Sequence, residues 1–422
     1  MSALKGAAVL AQSGGPTAVI NSSIAGAVEE CLKHSAVTGI YGSLNGVLGV
    51  LREELFDLRQ EDREAISGLV QTPSAALGSC RYKLKSLDES REDYERILEV
   101  FKAHEVRYFF YAGGNDSMDT ADKLGGLAAA EGYELRVMGI PKTIDNDLAY
   151  TDHCPGYGSV AKFLATSVME AGRDTEALYT SDTVTVLETM GRNAGWIAGS
   201  TCLARREEED APHLVYLPEA AFSVDKFIAD VDRVITRFGR CFIVSGEGLK
   251  DDKGEYVTFQ SGDFNQDSFG HVQLGGVAEF LKNVVETRAG VKCRYIKQGT
   301  AQRNARHWAS GADVEEAYRC GQMAARLALE GQTGLMVTLE RESESPYKCA
   351  TGTAKLYDVA NDEKYVPRDW INDEGNFVTE RFLDYARPLI QGESPVPVRD
   401  GLPVYVRLKK NFIEKRCRVY EP

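Results

Sequence analysis

Early in the chain, three short apolar runs each end in a polar loop, and this restricts the possible folds more than any other sequence feature. Residues 6–11 read as a buried strand, followed by Ser13-Gly14-Gly15-Pro16-Thr17 and a helical pattern over 17–34. Residues 106–112 (VRYFFYA) repeat the arrangement, with Gly113-Gly114-Asn115-Asp116-Ser117 leading into a helix over about 117–131. Residues 135–140 form a third strand that runs into Pro141-Lys142-Thr143-Ile144-Asp145-Asn146-Asp147. Strand, loop and helix in repetition predict a parallel sheet covered on both faces. In such sheets ligands sit beyond the carboxyl ends of strands, where all three loops fall.

A second α/β series begins near Gly158 with a long helical pattern. Strands at 183–187 and 241–244 follow, separated by the helix-like stretch 224–238. At 422 residues the chain suits two lobes better than one core. From about residue 331 the pattern is less regular, punctuated by Pro346, Pro367, Pro388, Pro395, Pro397 and Pro403.

The formal net charge of −14 argues against nucleic acid, which requires a basic face. It leaves anionic small molecules open, because a few converging cations make a local positive pocket. No apolar run approaches the roughly 18 residues of a membrane span, and no signal peptide fits the first residues. The nine cysteines contain no C-x-x-C pair, which suits reduced thiols in a cytoplasmic enzyme.

The three loops offer phosphate chemistry of increasing specificity. Gly14 and Gly15 let backbone approach an anion at a helix N-terminus, although such a turn is structural about as often. The Gly114-Asn115-Asp116 loop reads equally as a helix cap or as a phosphate- or Mg²⁺-facing loop, since hard oxygens suit that ion. The third loop concentrates a Lys, a hydroxyl and two carboxylates in seven residues. Phosphoryl transfer needs a base, a cation against developing charge, and metal ligands. Asp145 suits the base, Lys142 the cation, and Asp147 a partner of the base or a group near the metal.

Arg81, Arg192, Arg294 and Arg303 each follow a glycine-rich or polar turn. Several such arginines converging would suit a bis-phosphorylated site, whereas any one alone reads as a solvated surface residue. Glu247, in Ser245-Gly246-Glu247-Gly248, ends a strand and can accept hydrogen bonds from sugar hydroxyls, or is an ordinary turn carboxylate. No histidine pair has metal-ligand spacing, and Trp196, Trp308 and Trp370 read as packing residues.

Taken in order, P-K-T-I-D-N-D, the M-G-R of Thr189-Met190-Gly191-Arg192, the G-E-G around Glu247 and a late Gln302-Arg303 resemble the phosphofructokinase family over roughly residues 6–330. The resemblance implies a two-lobed α/β fold with Rossmann-like, mainly parallel sheets and the active site in the cleft. It places residues 1–156 and 302–422 in a larger lobe, with a C-terminal extension from about 331, and 157–301 in a smaller one. It makes Asp145 the proton acceptor for the 1-hydroxyl of fructose 6-phosphate, with Thr143 and Asp147 positioning substrate. Met190, Gly191, Arg192 and Glu247 would contact the sugar, and Arg294 and Arg303 its 6-phosphate. Gly14, Gly15, Arg81, Gly114 and Lys142 would hold the donor phosphates, and Asn115 and Asp116 are the candidate ligands for Mg²⁺.

Two positions bear on the donor. ATP-using members have glycine where this chain has Asp116 and Lys142, and a carboxylate at 116 repels a nucleotide's α-phosphate. Both changes are those of the pyrophosphate-dependent branch, so pyrophosphate is the expected donor and Asp116 joins Asp145 and Lys142 among the catalytic candidates. The alternatives are an ATP-dependent or dual-donor enzyme and a catalytically inactive sugar-phosphate sensor. The chain departs from the family pattern at Asn115, where many relatives have a metal-binding Asp. It departs again at Thr183, where ATP-type members lend an arginine to a neighbouring subunit. Residues 270–276 resemble an H-x-Q-R-G-G signature but carry Leu274 for the Arg, so Gln302-Arg303 is the preferred match. A homo-oligomer, a dimer first, is the expected assembly.

Overall fold

The computed structural model describes residues 4–82, 84–85, 87–258 and 276–422, so the His271 segment lies almost wholly outside them. The first sheet has seven strands in the order β11-β10-β5-β4-β1-β2-β3. These are β1 (Gly6–Gln12), β2 (Val37–Ser43), β3 (Leu55–Asp57), β4 (Val106–Gly113), β5 (Arg136–Pro141), β10 (Leu335–Glu344) and β11 (Tyr347–Lys355). All neighbours are parallel except β3 on β2 and β11 on β10.

The central strands are apolar throughout because both faces are covered. Val9, Phe109 and Val137 point to one core, under helices Arg91–Ala103 and Asn115–Ala130. Leu10, Phe110 and Met138, each one residue further on, point to the other, under helices Ile20–Leu32 and Gly311–Leu329. Those last two helices touch backbone to backbone. A Cβ on Gly321 would lie 1.8 Å from the Ser23 carbonyl oxygen, and one on Gly26 would lie 2.2 Å from that of Tyr318.

The second sheet is four-stranded, β7-β8-β6-β9, and wholly parallel. Its strands are β6 (Val184–Thr189), β7 (Leu214–Tyr216), β8 (Cys241–Gly246) and β9 (Cys293–Lys297). The α/β class with two mainly parallel sheets is therefore as expected. The region after residue 331 is more regular than the sequence suggests, since β10 and β11 form a long hairpin that extends the first sheet. Beyond it, Val366, Ile371, Val378, Phe382 and Leu389 pack into the core around Tyr157, Trp196 and Val244. Val406, Leu408, Ile413, Cys417 and Tyr420 then return to the first lobe.

Candidate active site

β1, β4 and β5 end side by side, which brings the three loops together. Gly113 and Pro141 are register partners, and the Lys142 N–H donates to the Gly113 carbonyl at 3.1 Å. The Lys142 side chain, only 3% exposed, turns toward the first loop and donates to the Gly15 carbonyl at 3.0 Å. Gly14 has φ +73°, and a Cβ there would come within 3.1 Å of Lys142 Nζ. A Cβ on Gly15 would meet Arg303 Nη1 at 3.0 Å. The Gly14 turn is also tied to the Arg81 loop, through its N–H to the Cys80 carbonyl at 3.1 Å and Ser79 Oγ to its own carbonyl at 2.6 Å. Asn115 and Asp116 open the helix after Gly114. Asn115 Oδ1 is buried with no hydrogen-bond partner among the described residues.

The facing half comes from the second sheet. β6 and β8 end at Thr189 and Gly246, and the Glu247 N–H donates to the Thr189 carbonyl at 3.0 Å. Gly191 at φ +110° turns the chain so that Arg192 exerts its charge on both Glu247 and Asp145. Gln302 Oε1 accepts the Met190 N–H at 3.0 Å, which fixes Arg303 beside the same turn.

Charge is concentrated here. Burial, then the neighbouring Asp147 and Glu247, push the Asp145 carboxyl well above the usual range. Burial raises Asp147 as well. Glu247 is pushed up to about 7 by burial and by Glu188. Burial lowers Lys142 to about 8, against the pull of Asp145 and Asp147. Arg303 is lowered by burial and by Arg81. Thr143 Oγ1 accepts the Asp145 N–H at 3.0 Å and stiffens the turn.

The Phosphofructokinase family profile matches residues 7–342. The chain belongs to the phosphofructokinase family. Similar family members include the pyrophosphate–fructose 6-phosphate 1-phosphotransferases of Halomonas elongata and Xanthomonas campestris pv. campestris. The first is 46% identical over 97% of this chain and 97% of its own length. The second is 47% identical over 97% of this chain and 98% of its own. The crystal structure of the pyrophosphate-dependent phosphofructokinase from Marinobacter aquaeolei superposes with a TM-score of 0.90 at 42% identity, over 99% of this chain and 100% of that one.

One expected residue of this phosphofructokinase stands apart. Arg294 pairs in register with Thr185, near the start of β9, and is ion-paired with Asp182. It therefore sits at the amino end of a parallel sheet whose carboxyl end faces the cleft, and it is half exposed. Lys297, three residues on at the carboxyl end, pairs instead with the buried Glu188 at 3.1 Å. Lys297 has no local sequence signal. C-R-Y-I-K shows no buried-strand pattern, so β9 and the lysine it aims at the cleft go unread.

Proposed function

We propose that the chain transfers a phosphoryl group from pyrophosphate to the 1-hydroxyl of fructose 6-phosphate, giving phosphate and fructose 1,6-bisphosphate. The observation that carries this reading is Lys142 folded over the Gly14-Gly15 turn with Asp145 three residues away. A cation therefore sits where the donor phosphates would lie, beside a base for the acceptor. Asp145 takes the proton of the 1-hydroxyl as its oxygen bonds to phosphorus. The bond to the bridging oxygen breaks, and Lys142 and Arg81 offset the charge on the departing phosphate. Met190, Gly191, Arg192 and Glu247 hold the sugar, Thr143 and Asp147 position the acceptor end, and Arg303 takes the 6-phosphate. Both bonds exchanged are of comparable energy, so the step runs in both directions and serves glycolysis and gluconeogenesis.

The orphaned Asn115 oxygen fits a divalent cation, because a buried amide oxygen without a donor is a hard ligand awaiting one. Asn115 and Asp116 would hold Mg²⁺ there, which when bound neutralises phosphate charge. All nine cysteines are free thiols, in keeping with a reducing cytoplasm. No helix among the described residues is long and apolar enough to cross a membrane. A homo-oligomer, a dimer first, is proposed to give Arg294 its phosphate on a second copy facing the exposed start of β9. Light scattering tests this directly.

The activity is tested by mixing protein, Mg²⁺, fructose 6-phosphate and pyrophosphate, and separately fructose 1,6-bisphosphate with phosphate. Both should turn over. Asp145→Ala should lower kcat by about 10²–10⁴-fold in each direction, with the KM for fructose 6-phosphate little changed. Absence of turnover by the wild type in either direction overturns the reading.

A further inference from the structure

Three consecutive residues from beyond the family match touch all three parts of the cleft. The Asp362 carbonyl accepts from Asn115 Nδ2 at 3.3 Å, on the donor-side loop. Glu363 Oε1 accepts from Asn193 Nδ2 at 3.2 Å, one residue past Arg192 on the sugar side. Glu363 also bridges in antiparallel fashion to Leu148, and the Lys364 N–H donates to the Asp147 carbonyl at 2.8 Å. An isolated β-bridge from the C-terminal region thus lies along the exit of the base-bearing loop.

Lys364 then enters that loop. Its ammonium donates to the carbonyls of Asp152 and Thr151, at 2.8 and 3.1 Å, and lies 3.4 Å from Asn146 Oδ1. All three acceptors are neutral oxygens. The ammonium is also 5.4 Å from the centre of the Trp196 ring, and Trp196 Nε1 donates to the Lys364 carbonyl at 3.0 Å. Asn146, between the two carboxylates, has φ +57° and is held on every side. Its oxygen accepts the Cys154 N–H at 2.9 Å, and its amide donates to Tyr385 Oη at 2.8 Å. A left-handed residue persists only where its surroundings over-determine it, and here it sets the directions of Asp145 and Asp147.

We propose that Asp362-Glu363-Lys364 is a buttress that locks the base-bearing loop to both halves of the cleft, with Lys364 a positioning residue for phosphoryl transfer. It touches no reacting atom. Three inward-facing oxygens are drawn together around one ammonium, and removing it lets them separate and rotates Asn146. Displacing a base by about 1 Å from its acceptor lowers turnover about a hundredfold while leaving ground-state binding intact. The inference rests on the phosphoryl-transfer reading above, and the wild-type assay separates the two. If the wild type does not turn over, that reading fails, whereas a turning-over wild type with unaffected variants sinks only the buttress.

The test is steady-state kinetics of Lys364→Met in both directions, well below each protein's own Tm. The expected result is a kcat lowered by about 10–100-fold, with KM for pyrophosphate and fructose 6-phosphate each within about threefold. A folded K364M protein with kcat within about twofold of wild type, or with the loss confined to KM, overturns the proposal. Should K364M fail to fold, Glu363→Ala and Asn193→Ala decide. Each should lower kcat, and together they should lower it no further than the larger single effect. Wild-type kcat in both, or simple additivity, overturns it.

Discussion

Lys142 and the carboxylates beside it are held in opposite senses by the same burial. The lysine is lowered to about 8 and Glu247 raised to about 7, with Asp145 raised in the same direction. In the proposed mechanism Asp145 works as a carboxylate, so activity should rise with pH as it and Glu247 lose protons. Lys142 works as an ammonium, so activity should fall once it deprotonates. A bell in kcat/KM is expected, with a rising limb displaced well above the usual carboxylate range, as Asp145 is, and a falling limb set by Lys142, lowered to about 8. Lys142→Met should remove the falling limb and lower kcat by about 10²–10³-fold. In kcat itself the falling limb should move to higher pH, because bound pyrophosphate favours the charged lysine. A wild-type falling limb that survives in K142M would assign it to another group. Lys142, Asp145 and Asp147 were legible because their chemistry is packed into seven consecutive residues. Lys297, Glu188, Glu363 and Lys364 were not, since each matters only through a partner distant in sequence.

At the level of elements, β1, β4 and β5 and the helices that follow β1 and β4 announce themselves by pattern, whereas β2, β3 and the helix Arg91–Ala103 do not. Boundaries do not, where side chains intervene. The helix expected from residue 17 begins at Ile20, and in the turn before it Thr17 Oγ1 accepts the Val19 and Ile20 N–H groups at 3.2 and 2.9 Å. The β10–β11 hairpin was missed because its far half alternates with solvent and reads as irregular. His153 shows how that hairpin's lobe is tied to the base-bearing loop. It is 1% exposed and bonded to Asp152 at 2.8 Å through Nδ1 and to Glu316 at 2.7 Å through Nε2. Burial alone would lower its pKa, but the two carboxylates outweigh burial and raise it. Its stabilisation is thus fully present below the unfolded value of 6.5 and is lost as pH rises through the folded one. His153→Leu should destabilise the fold by about 3–5 kcal/mol at mildly acid pH, in denaturant titrations. The gap from wild type should narrow toward alkaline pH, and a gap that widened would mean that the ring is buried neutral.

On the scale of the whole molecule, an acidic chain of net charge −14 gathers Arg81, Lys142, Arg192 and Arg303 at one cleft, where they would bind the two anions of the proposed reaction. KM for both substrates should therefore rise with ionic strength, and a salt-independent KM would deny the pocket its charge. The C-terminal region crosses from one lobe to the other and back, which prolines and irregular patterning concealed in the sequence. The central claim is that Asp116 and Lys142 together choose the phosphoryl donor. The most direct measurement is the ratio of kcat/KM with pyrophosphate to that with ATP, for the wild type and for the Asp116→Gly, Lys142→Gly double variant. The wild type should favour pyrophosphate by about 10³-fold or more, as a like-charge clash of several kcal/mol requires. The double variant should lose most of its pyrophosphate activity and gain little with ATP. A wild type that turns over ATP as well as pyrophosphate, with Asp116 in place, would contradict the claim.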